Sequence, residues 1–65
     1  MQIDVIAVHN PVGEVKPLYI LRNGKKSKVD KINSVVKVSG LTVYHCVIDG
    51  RMVSLQFDGA KWWMD

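Results

Sequence analysis

Three dipeptides constrain this chain more than any other feature: Asn23-Gly24, Asp49-Gly50 and Asp58-Gly59, each set between runs rich in Val, Ile, Leu, Tyr, Phe or Trp. A two-residue type I′ hairpin turn needs positive φ at both central positions, which Gly adopts freely and Asn and Asp adopt more readily than other residues. Softer breaks at Asn10-Pro11-Val12-Gly13 and Ser39-Gly40 divide what remains. The segments between breaks read as strands over about 2–9, 16–22, 25–38, 41–48, 51–57 and 60–64. The nearest approach to a helical stripe is Val29, Ile32, Val35 and Val36, but these residues are all β-branched and no cap introduces them, so strand is favoured over a short helical turn.

Sixty-five residues allow a single domain, 1–65. A chain this short buries only about 60% of the surface that its unfolded form exposes, so most of its apolar side chains must join one compact core. Laid flat, six short strands would leave two bare edges. The expected fold is therefore all-β, a five- or six-stranded antiparallel meander curled into a small SH3-like or OB-like barrel.

The turns also set the register. A two-residue loop at Asp49-Gly50 pairs Ile48 with Arg51, Cys46 with Val53, Tyr44 with Leu55 and Thr42 with Phe57. Val53, Leu55 and Phe57 alternate with Met52, Ser54 and Gln56, so the first set faces inward and takes Tyr44, Cys46 and Ile48 with it. A two-residue loop at Asp58-Gly59 pairs Leu55 with Trp62; a four-residue loop changes the pairs but keeps the faces. Strict alternation in the third strand would bury Lys31 and expose Ile32. A β-bulge near Asp30 or Lys31 avoids this and returns Ile32, Ser34, Val36 and Val38 to the inner face. The expected core is Ile20, Val29, Ile32, Val36, Tyr44, Cys46, Ile48, Val53, Leu55, Phe57 and Trp62.

The segment from Lys16 to Asp65 resembles a class of small bacterial β-barrel proteins of unknown function. The residues that carry the likeness are Pro17-Leu18-Tyr19-Ile20, Asn23-Gly24, Val29 with Ile32, Tyr44-His45-Cys46-Val47-Ile48, and Leu55-Gln56-Phe57-Asp58 followed by Trp62. The resemblance implies strongly bent antiparallel strands and supplies no catalytic residue. Such proteins commonly have an aromatic strand pair ahead of a basic strand, where this chain has Lys25-Lys26-Ser27-Lys28.

No constellation points to an enzyme. His45 and Cys46 are neighbours in a strand and so point to opposite faces, which rules them out as a base and nucleophile. His9, His45 and Cys46 lack zinc-site spacing, so no metal or other cofactor is expected. Gly24-Lys25-Lys26-Ser27 lacks the glycine and the register of a phosphate-binding loop. The acids are scattered, and Asp49 and Asp58 are accounted for by their turns. One cysteine forms no internal disulfide, which fits a reducing cytoplasm. No apolar run approaches the roughly 18 residues of a membrane span, and the start Met1-Gln2-Ile3-Asp4 lacks the basic residues of a signal peptide. A cytoplasmic, unprocessed chain with no membrane partner is expected, with Met64-Asp65 ending directly after the last strand.

Charge distribution says more than its sum. Residues 22–37 hold Arg22, Lys25, Lys26, Lys28, Lys31 and Lys37 against Asp30 alone, a local +5 that leaves −2 of the total +3 for the rest. Pairing across Asn23-Gly24 sets Tyr19 opposite Lys28 and Leu21 opposite Lys26. An aromatic ring among ammonium groups suits single-stranded nucleic acid, whose bases stack while its phosphates are neutralised. The candidate nucleic-acid site is Tyr19, Lys25, Lys26, Lys28 and Lys31, on a basic hairpin over 16–31. A solvated hairpin whose lysines block edge-to-edge aggregation explains the same charges.

A second candidate is a protein-interaction or self-association surface. The outward face of the last three strands holds Val43, His45, Val47, Met52, Ser54 and Trp63, with Gln56 and Lys61. That is more apolar than ordinary solvent surface. Either another part of the chain covers it, which is the favoured expectation, or it receives a protein partner or a second copy together with exposed strand edges.

Overall fold

The computed structural model describes residues 1–65 as six strands and no helix: β1 (Gln2–His9), β2 (Val15–Arg22), β3 (Lys25–Val38), β4 (Leu41–Ile48), β5 (Arg51–Phe57) and β6 (Trp62–Met64). Each strand pairs antiparallel with the next, and β6 returns to β1, so the meander closes into a barrel. β3 is long because it serves two sheets. Its first half pairs with β2 through Lys25–Lys28, and from Val29 onward it pairs with β4. Between those halves β2 and β3 splay apart.

Asn23-Gly24 and Asp49-Gly50 adopt positive φ at both residues, as a two-residue loop requires, and Ser39-Gly40 does the same. The β4–β5 register contains all four pairs derived from the turn. The second Asp-Gly behaves differently. Only Gly59 has positive φ, and the loop spans four residues, 58–61. Asp58 contributes its side chain instead: Oδ1 accepts from the backbone N–H of Ala60 at 2.8 Å and of Lys61 at 2.7 Å. The pairs become Phe57–Trp62, Gln56–Trp63 and Leu55–Met64, so Leu55 faces Met64 and not Trp62. The faces stay as expected, with Trp62 buried and Trp63 half-buried.

β3 carries two bulges where one was expected. The first leaves Asp30 unpaired between Val29–Ile48 and Lys31–Val47, turning Lys31 out and Ile32 in. The second leaves Asn33 unpaired between Ile32–Cys46 and Ser34–His45, which reverses the phase again. Ser34, Val36 and Val38 therefore share the outer face with His45, Val43 and Leu41. Val36 is thus not a core residue; 43% of it is exposed.

The core comprises Ile3, Ile20, Val29, Tyr44, Cys46, Ile48, Leu55, Trp62 and Met64, with Ile32, Val53 and Phe57 half-buried against it. Pro17 is also buried. Ile3 and Met64 join because β1 closes on β6, a contact between the two ends of the chain that no hairpin turn announces. Trp62 stacks on its cross-strand partner Phe57 with ring centroids 4.5 Å apart and lies 5.4 Å from the Tyr44 ring. Where β2 and β3 part, the Tyr44 hydroxyl donates to the Val15 carbonyl at 2.6 Å and ties β4 to β2 across the opening. Burial pushes both the Tyr44 hydroxyl and the Cys46 thiol up from their ordinary pKa values.

Candidate nucleic-acid interface

The β2–β3 hairpin holds its register tightly. Tyr19 pairs with Lys28, Leu21 with Lys26, and Ile20 and Ser27 take the inner phase between them. Tyr19, Lys26 and Lys28 thus project from one outer face. The Lys26 ammonium lies 4.6 Å from the centroid of the Tyr19 ring, a cation–π contact made on the diagonal of the ladder. Lys25 has the opposite phase, pairs with Arg22 at the hairpin tip, and stands apart from the others.

Beyond Lys28 the splaying of β2 from β3 opens a hollow of about 370 Å³. Buried Pro17 and Val29, half-buried Tyr19, and exposed Lys16, Lys28, Asp30 and Lys31 line it. Lys31 reaches this hollow because the Asp30 bulge turns it outward. Tyr19 therefore both carries the Lys26 ammonium on its ring and lines a hollow shared with Lys16, Lys28 and Lys31. A wider hollow of about 770 Å³ is lined by Arg22, Lys25, Lys26 and Lys28 together with Asp4 and Asp49.

Lys16 is a member of the site that sequence reasoning passed over. Lys16 lies three positions before Tyr19, which in a regular strand would put the two on opposite faces. A bulge leaves Leu18 unpaired between Ile6–Tyr19 and Ala7–Pro17, and Lys16 emerges on the same face as Tyr19. The available signal was Pro17, since a proline inside a strand marks an edge or a bulge.

The alternative surface is also assembled. One row crosses the barrel wall as Val36, Val43, Gln56, Trp63 and Gln2, a second as Ser34, His45 and Ser54, a third as Lys31, Val47 and Met52. Ser54 Oγ and His45 Nδ1 lie 3.2 Å apart, and Gln56 Nε2 donates to Asp65 at 3.5 Å. Val43, His45, Val47, Ser54 and Trp63 are half-buried by their neighbours and Met52 is 71% exposed. The expectation that another segment covers this face fails, because β1 meets β6 edge to edge instead of crossing over it. Ring closure also gives both outermost strands of the meander a partner, which removes the two bare edges a flat sheet would have. No cluster of three or more His, Cys, Asp or Glu side chains could hold a metal ion.

Comparison of the chain with protein-family models, with curated proteins and with solved structures found no match.

Proposed function

We propose that this barrel is a non-catalytic module that binds single-stranded nucleic acid on the outer face of the β2–β3 hairpin. The observation that supports the reading is that Tyr19, in contact with the Lys26 ammonium, also lines a hollow together with Lys16, Lys28 and Lys31. In this reading a base stacks against Tyr19 from the hollow side, the rim lysines neutralise the phosphates that flank it, and Lys25 adds charge at the tip. A reducing cytoplasm fits a buried, unpaired Cys46.

The test is a titration with a labelled single-stranded oligonucleotide at several salt concentrations. Each neutralised phosphate contributes about −0.7 to the slope of log K against log salt for single strands, so three or four contacts give a slope of about −2 to −3. Tyr19→Ala should weaken binding by about 1–3 kcal/mol, the range for one stacked base. A flat salt response at measurable affinity would remove the mechanism.

A second reading is supported by the uncovered outer face of β4, β5 and β6. Val43, His45, Val47, Met52, Ser54 and Trp63, joined by Val36 and Val38 of β3, form a largely apolar surface with few charges, suited to a protein partner or a homodimer. Sedimentation at micromolar concentration tests it: an isologous dimer is expected if this face is the interface.

A further inference from the structure

The cationic hollow contains one group that is out of place for phosphate binding. Asp30 lines it among Lys16, Lys28 and Lys31, and it is the only carboxylate in the +5 segment over 22–37. A carboxylate there weakens the field that phosphates would feel. It is also the residue left unpaired by the first β3 bulge, so no ladder partner dictates its position. Bulges re-aim side chains, and this one exposes Asp30 beside the hollow that Tyr19 walls.

The hydrogen-bonding inventory of the hollow is asymmetric. Lysine ammonium groups only donate, an ionised carboxylate only accepts, and the Tyr19 hydroxyl can do either. Whatever enters with its phosphates toward the lysines meets Asp30 as a dedicated acceptor. Among pyrimidines, cytosine presents an exocyclic amino group that donates, whereas uracil presents a carbonyl oxygen at the same position, which a carboxylate repels.

Resting on the nucleic-acid reading above, we infer that Asp30 is a specificity-determining residue that selects an amino-bearing base, cytosine over uracil, for the place beside Tyr19. The lysines set affinity without regard to sequence, and Asp30 lowers that affinity somewhat in exchange for discrimination.

The experiment measures binding of oligo-dC and oligo-dU of equal length to the full chain and to Asp30→Asn, at neutral pH and low salt, with circular dichroism to verify that the variant keeps the wild-type fold. The wild type should favour dC by about tenfold, toward the low end of what a good base contact supplies. Asp30→Asn, whose amide can present either a donor or an acceptor, should bind both oligomers more tightly and lose the preference. Strands also differ in stacking and flexibility, and the variant controls for this because such differences would persist in it. Equal binding by the wild type, or a preference unchanged in Asp30→Asn, overturns the role of Asp30 and leaves the basic interface standing. Absence of binding to either oligomer overturns both.

Discussion

The barrel presents two outer faces made by nearly the same means and with opposite character. On the β2–β3 hairpin, Tyr19, Lys26 and Lys28 stand on regular ladder positions, and the flanking bulges at Leu18 and Asp30 bring Lys16 and Lys31 to join them. On the face of β4, β5 and β6, another bulge at Asn33 adds Ser34, Val36 and Val38 to a surface that is apolar and nearly uncharged. β3 contributes to both. A single strand that switches phase twice can thus supply lysines to one surface and valines to another, while Val29 and Ile32 stay on the inner side throughout. The bulges, not the composition of β3, decide which of its side chains face each surface.

The sharpest way to break this contrast is to ask whether the apolar face belongs to the core after all. Trp62→Ala removes a buried ring stacked on Phe57 and should cost about 3–5 kcal/mol, a large share of the total stability of a domain this small. Trp63→Ala, one residue on and facing out, should cost about 1 kcal/mol, in the range of an ordinary partly exposed substitution. Chemical denaturation of the two variants measures both, and a larger loss for Trp63→Ala would make the outer face a second core.

A milder test sets one face against the other. Lys28→Ser and Met52→Ser should each leave stability within about 0.5 kcal/mol of the wild type, since both side chains are exposed. Lys28→Ser should also reduce the magnitude of the salt slope for oligonucleotide binding by about 0.7, the share of one phosphate on a single strand. Met52→Ser should leave that slope unchanged. Equal effects of the two on binding would erase the distinction between the faces.

The smallest effect concerns the loop that presents Trp63. Backbone N–H groups of Lys61 and Ala60 donating to Asp58 hold its carboxyl below the ordinary carboxylate range. The charged form is favoured in the folded state, so its contribution to stability is present above the ordinary carboxylate pKa and is lost as pH falls through the lowered one. Denaturation midpoints followed from neutral to acid pH should converge for wild type and Asp58→Asn as the carboxyl protonates. A gap that stays constant into strong acid would show that the proton plays no part.

How much of this was legible in the sequence follows from which features are local. Asn23-Gly24 and Asp49-Gly50 state their turn type and, through it, the register of four strands, because backbone handedness at two residues fixes every pair beyond them. Asp58-Gly59 has the same letters as Asp49-Gly50, yet its loop is twice as long. Aspartate can serve a turn by its φ or by its carboxylate, and the choice depends on Trp62 reaching Phe57. The first β3 bulge was readable because Lys31 could not be buried. The second was not, since Val35 and Val36 are both acceptable on either face and only the partner strand decides between them. Lys16 was missed for the same kind of reason: phase counting fails across a bulge.

Closure of the ring has a consequence in time. The hairpins join residues near in the chain and can form as soon as each pair of strands exists, within about 1–10 μs. The seam between Gln2–Ile3 and Trp62–Trp63 must wait until β6 has been made, and it closes a far longer loop than any of the hairpins does. During synthesis Ile3 has no Trp62 to cover it, and the core lacks the residue that stacks on Phe57. The last strand, only three residues long, is the latch on the assembly, so a chain cut short before Trp62 is a meander with its greasy side open, prone to pair with its neighbours until it is removed.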